Sequence, residues 1–110
     1  MNSFQEVVAN AEGQALCRIV IEESLQEGDI AALKQHLLLS AETHEQVQII
    51  IRRLVALELS ALQWIMAFQR AALTEGKKVL LDLDLTEELQ TLVDQSGLAT
   101  KFNWGKDNGA

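Results

Sequence analysis

Three short apolar runs set the strongest limit on what this chain can fold into: L-C-R-I-V-I at Leu16–Ile21, V-Q-I-I-I at Val47–Ile51 and V-L-L-D-L at Val79–Leu83. Each is rich in β-branched or leucyl side chains, too short for a buried helix and bounded by polar residues, so each reads as a strand. After each comes a segment whose apolar residues recur at helical spacing. Strands that alternate with helical segments predict a sheet whose strands are joined by crossover helices.

A further β-prone run, Phe4–Ala9, precedes the Gln14–Ile21 strand across N-A-E-G, where Gly13 supplies the positive φ of a hairpin turn. Asp29 stands at the start of the first helical segment, which places Ile30, Leu33, Leu37 and Leu38 on one face. A long helix is expected from about Ala61 to Thr74, ended by E-G-K-K with Gly76 as a left-handed cap. Asp84 or Thr86 caps the last helix, which carries glutamates in its first turn and stops at Gly97. The order β-β-α-β-α-β-α predicts a single α/β domain with a mixed sheet of four or five strands packed against helices on one main face. With no proline, low-complexity tract or repeat, no linker divides the chain. The domain is expected over residues 1–104, with a flexible polar tail at 105–110.

Composition narrows the function classes. Sixteen acidic against nine basic side chains give a net charge of −7, and the densest cationic spot is the pair Arg52-Arg53. Nucleic acids are held by clustered Lys and Arg that neutralise phosphates, so a nucleic-acid partner is not expected. Anionic membrane surfaces are disfavoured for the same reason. No apolar run approaches the roughly 18 residues of a membrane-spanning helix, and M-N-S-F-Q-E-V-V does not have the form of a signal peptide. A cytoplasmic protein is the expectation. The single cysteine, Cys17, fits a reduced core thiol, with Arg18 on the opposite face of its strand.

None of the phosphate-binding, zinc-protease or nucleophile-elbow motifs occurs, so no catalytic residue is assigned. The carboxylate pairs Glu22-Glu23, Glu87-Glu88 and Asp82/Asp84 read as strand-end, helix-start and exposed strand charges. His36 falls off the apolar stripe and His44 lies in a polar connection, with no other ligand at recognisable spacing, so neither a metal nor another cofactor is expected.

The stretch L-E-L-S-A-L-Q-W, Leu57–Trp64, is more informative. Ser60 followed three residues later by Gln63 has capping-box spacing, and Leu59 and Trp64 have the spacing of a hydrophobic staple. Ser60 is thus expected to be the N-cap. The helix beyond it carries two apolar stripes. Leu62, Ile65, Met66 and Leu73 suit the sheet, while Trp64, Phe68 and Ala71 or Ala72 need a second partner. That partner is either a neighbouring helix of the same domain or a bound protein.

From Cys17 to about Phe102 the chain resembles a STAS domain, the module shared by sulfate transporters and anti-sigma factor antagonists. The resemblance is strongest over G-K-K-V-L-L-D-L-D-L-T-E-E-L-Q-T-L-V-D-Q-S-G-L, where Gly76, Thr86, Leu89, Leu92, Val93, Gly97 and Leu98 match the family pattern. R-I-V-I-E-E-S-L resembles the family strand that ends in Gly-x-Leu, with Glu23 at the glycine. The family's phosphorylation loop, Asp followed by Ser or Thr, a small residue, Gly and Leu, corresponds to Glu58, Leu59, Ser60, Ala61 and Leu62.

The resemblance implies a binding module and not an enzyme. Its protein partner would be a kinase-like anti-sigma factor or another signalling complex, docked around Glu58 to Phe68 with Ser60, Trp64 and Phe68 in contact. A transporter ATPase subunit, or a small molecule or nucleotide bound at the strand ends, are the alternative partners. In the family the residue after the Asp accepts phosphate. Here it is Leu59, which has no hydroxyl, so the switch is expected to be lost unless Ser60 has taken it over.

Overall fold

The computed structural model describes residues 1–9, 12–13 and 15–97. Expectations for Gln14, Leu98, Phe102 and the tail at 105–110 lie outside these residues. The elements are β1 (Asn2–Ala9), β2 (Ala15–Leu25), a single 3-10 turn (Glu27–Asp29), α1 (Ile30–Thr43), β3 (Gln46–Leu57), α2 (Leu59–Thr74), β4 (Lys78–Asp84) and α3 (Glu87–Ser96). The four strands form one mixed sheet in the order β1-β2-β3-β4. β1 is antiparallel to β2, while β2, β3 and β4 run parallel. The α/β class, the element order and the mixed sheet are those expected from the sequence.

The hairpin explains the one antiparallel pair: Gly13 has φ 80, a conformation that glycine adopts without steric cost. Each later strand steps one place further along the sheet, and right-handed crossovers in a constant direction put α1 and α2 on one face. Burial agrees. Cys17, Ile19 and Ile21 of β2, Val47, Ile49 and Ile51 of β3, and Val79 and Leu81 of β4 form one cluster with Leu33 and Leu37 of α1, Leu62, Ile65 and Met66 of α2, and Val93 of α3.

The opposite face carries the alternate residues. Arg18 and Gln48 lie side by side there, with the Arg18 Nε donating to Gln48 Oε1 at 3.2 Å. Leu16 and Val20 are also buried on this face, outside the main cluster. β2 is therefore apolar on both sides, as a strand with a neighbour at each edge tends to be.

Two strands run further than expected. β2 continues past Ile21 to Leu25, and β3 past Ile51 to Leu57. Their pairing shifts register around Glu23, and both Glu23 (φ 79) and Arg53 (φ 55) are left-handed there. This bulge resets the strands so that Leu54 and Leu25 return to the core. The charges of Glu22, Glu23, Arg52 and Arg53 hide the continuation in the sequence. In the fold Arg52 Nε donates to Glu22 Oε2 at 2.8 Å across the two strands.

The helical stripes are also corrected in part. In α1 the buried positions are Leu33, Leu37, Ser40 and Ala41, while Leu38 is exposed and Ile30 half-buried. In α2 Leu62, Ile65 and Met66 are buried, but Leu73 is 69% exposed. Gln69 Nε2 donates to the carbonyl of Val79, the second residue of β4, at 2.9 Å. The following helical turn, with Leu73, thus passes beyond the end of the strand it was expected to cover.

Candidate docking site at the amino end of α2

The carboxyl ends of the three parallel strands and the amino ends of the segments that follow them gather at one end of the sheet. In open α/β sheets this end is where binding surfaces arise. The strands lead into Gln26 and the Glu27–Asp29 turn, into Glu58 and α2, and into Thr86 and α3.

The α2 corner is built around Glu58, whose φ of −101 and ψ of 129 make it the residue at which strand becomes helix. Its backbone N–H donates to the Leu25 carbonyl at 2.9 Å, tying the end of β3 to that of β2. Its Oε1 accepts from the Glu27 backbone N–H at 2.8 Å. Glu58 is thus the N-cap by position, yet its carboxylate serves the neighbouring turn and makes no cap bond to α2.

This corrects the expectation for Ser60. The helix begins at Leu59, so Ser60 is its second residue and lies too far into the turn to cap it. Its exposed hydroxyl donates to Glu27 Oε2 at 3.3 Å. The capping-box and staple spacings of Ser60-Gln63 and Leu59-Trp64 are therefore not used. Glu58 displaces Ser60 because its extended backbone is fixed by the β2–β3 pairing, a tertiary constraint that short-range spacing does not report. Leu59 is half-buried and packs on the core, and Ala61 is fully buried.

The charge at this corner is negative. Ser60 is hydrogen-bonded to one carboxylate, that of Glu27, and stands two residues from Glu58, whose carboxylate meets the Glu27 backbone. Free N–H groups at a helix start attract anions, but carboxylates placed there repel them. Asp84, Glu87 and Glu88 around the start of α3 add negative charge at the same end of the sheet. An acidic end of this kind disfavours a phosphorylated ligand.

Of the two partners left open for Trp64 and Phe68, a neighbouring helix or a bound protein, Phe68 finds the first. The Trp64 and Phe68 rings stack with centroids 5.9 Å apart and planes 12° from parallel. Trp64 is half-buried against the core, and Phe68 is only 9% exposed. Phe68 also sits about 12 Å along the helix from Ser60, at 1.5 Å per residue. It lines a shallow cleft of about 270 Å³ between α1 and α2, together with Leu38, Ala41, Ala71 and Ala72. Phe68, Ala71 and Ala72 of the second stripe thus face α1 of the same domain. Lys77 closes the cleft by donating to the Ala41 carbonyl.

What sequence reasoning missed is Glu27. Its backbone and side chain link the turn before α1 to the start of α2, contacts spanning 31 and 33 residues that no local pattern announces. Among the described residues no group of His, Cys, Asp and Glu is arranged to hold a metal ion. No described helix is long and apolar enough to cross a membrane. No family model matches the chain, and no curated protein matches it.

Proposed function

We propose that this protein is a STAS-type regulatory adaptor that binds a cytoplasmic signalling protein, of the kinase-like anti-sigma-factor kind, through the amino end of α2, and that it does so without a phosphorylation switch. The observation that carries this reading is Glu23. It holds φ 79 at the bulge of β2, the position where the resembling family has glycine. Few non-glycine residues accept that conformation, so a glutamate there maintains a backbone shape for which glycine is the ordinary choice.

The loss of the switch follows from side-chain chemistry. Leu59 stands at the acceptor position and cannot carry phosphate. Ser60, one residue later, already donates to Glu27 Oε2, and a phosphate would add nearly two negative charges beside that carboxylate. What remains is a surface in which Ser60 and Glu58 are exposed and Leu59 is half-buried.

The test is photo-crosslinking from Ser60, replaced by a photoreactive amino acid, in cells that make the full chain. The expected product joins the protein to an ATP-binding kinase-like partner. Ser60→Arg should abolish co-purification of that partner while leaving the thermal midpoint unchanged. Capture of a transporter ATPase would replace the signalling reading with the transporter one. Stoichiometric phosphate on Ser60 in the isolated protein would sink the switch-free reading.

A further inference from the structure

Among the described residues β1 is an edge strand without the usual protection. It stands at the end of the order β1-β2-β3-β4, so among the described residues no strand pairs with its outer row of N–H and C=O groups. Natural edges are blunted by charges, proline, bulges or shortness. β1 has eight residues, pairs with β2 in unbroken register, contains no proline and carries one charge, Glu6. That carboxylate lies 3.7 Å from the Arg18 guanidinium of its own sheet. Phe4 and Val7 are 46% and 57% exposed, one on each face of the strand. The other end of the sheet differs, for β4 carries Lys78, Asp82 and Asp84 within seven residues.

We propose that β1 pairs antiparallel with β1 of a second copy of this chain, about a two-fold axis through Glu6 perpendicular to the sheet. The unpaired backbone groups require an extended strand as occupant, and a two-fold axis makes the strand its own complement. An axis perpendicular to the sheet keeps each face on its own side, so facing residues are separated by an even number of positions. Pairings that use nearly the whole strand then centre on Gln5 or on Glu6. Centring on Gln5 sets the Phe4 ring against the second copy's Glu6 carboxylate.

Centring on Glu6 sets Phe4 against the second copy's Val8 and Gln5 against its Val7. Because Phe4 pairs with Val20 and Val8 with Leu16 within each sheet, an apolar row then continues across the seam. Aromatic and β-branched residues in direct opposition stabilise such a pair. The central row reads Arg18, Glu6, Glu6, Arg18, so each facing carboxylate has a guanidinium beside it. Seven aligned residues give a seam about 24 Å long, at the small end of specific interfaces, so the dimer is weak. The charge of −7 on each copy opposes association, and salt screens it.

Sedimentation of the full chain up to about 1 mM tests this proposal, which is independent of what the α2 end binds. A reversible monomer–dimer equilibrium that tightens with salt is expected. Glu6→Gln should tighten it severalfold, and Phe4→Lys should weaken it at least tenfold. Val7→Lys, at a more exposed position, should also weaken it and stands in for Phe4→Lys should that variant misfold. Glu6→Cys should form a disulfide dimer faster than Gln5→Cys, since directly opposed strand residues lie within disulfide reach and Cys17 is fully buried. A chain that stays monomeric at 1 mM, a dimer indifferent to both lysine variants, or faster cross-linking at Gln5 overturns the proposal.

Discussion

Two hydroxyls near helix starts have different duties. Thr86 Oγ1 accepts from the Leu89 backbone N–H at 3.2 Å and caps α3, whereas Ser60 Oγ donates to Glu27 and satisfies no helix N–H. Thr86→Ala should therefore cost about 1 kcal/mol, and Ser60→Ala should stay within about 0.5 kcal/mol, both read from urea unfolding midpoints. Equal losses at the two sites would mean that Ser60 does cap α2. At Glu23 the left-handed backbone penalises a side chain, so Glu23→Gly is expected to stabilise by up to about 1 kcal/mol, and a loss of similar size would contradict the strain. That Asp84 or Thr86 caps α3 was legible because the signal is local: a polar residue, two glutamates and a periodic apolar run, and the structure selects Thr86. The position of Ser60 was not, because the preceding Glu58 is held by Leu25 and Glu27 from elsewhere in the chain.

The elements end as their local chemistry dictates. At the close of α2 the N–H groups of Gly76 and Lys77 donate to the carbonyls of Leu73 and Ala72, each at 3.0 Å, with Gly76 at φ 80. This is the paired-carbonyl closure that favours glycine, so Gly76→Ala should destabilise by about 1 kcal/mol through its backbone alone. No heavy atom lies within 4 Å of where the new Cβ would stand, so thermal unfolding of this variant isolates the conformational cost. Periodicity and caps are short-range signals, and for that reason the order of all seven main elements could be read from the sequence. The last four residues of β2 and the last six of β3 could not. Their charged residues break the apolar pattern, and only pairing across the bulge, with Arg52 meeting Glu22, makes them strands.

At the scale of the molecule, stability rests on one sandwich of helices and sheet face. Ile49 sits at its centre, fully buried on β3 between Ile19 of β2 and Leu81 of β4, whereas Val55 on the same strand is 83% exposed. Ile49→Ala should cost about 2–5 kcal/mol in equilibrium unfolding, a large share of a typical domain's roughly 5–15 kcal/mol. Val55→Ala should change stability by less than about 0.5 kcal/mol, and a comparable loss at both positions would contradict this core. The sequence by itself determined the α/β class, the element order, the helix ends at Gly76 and Gly97 and the three central strands, since each depends on residues within a few positions of one another. Only the tertiary structure decided the bulge at Glu23, the burial of Phe68 against α1 and the role of Ser60. Each of these depends on groups far apart in the chain whose meeting is fixed by sheet register and helix packing.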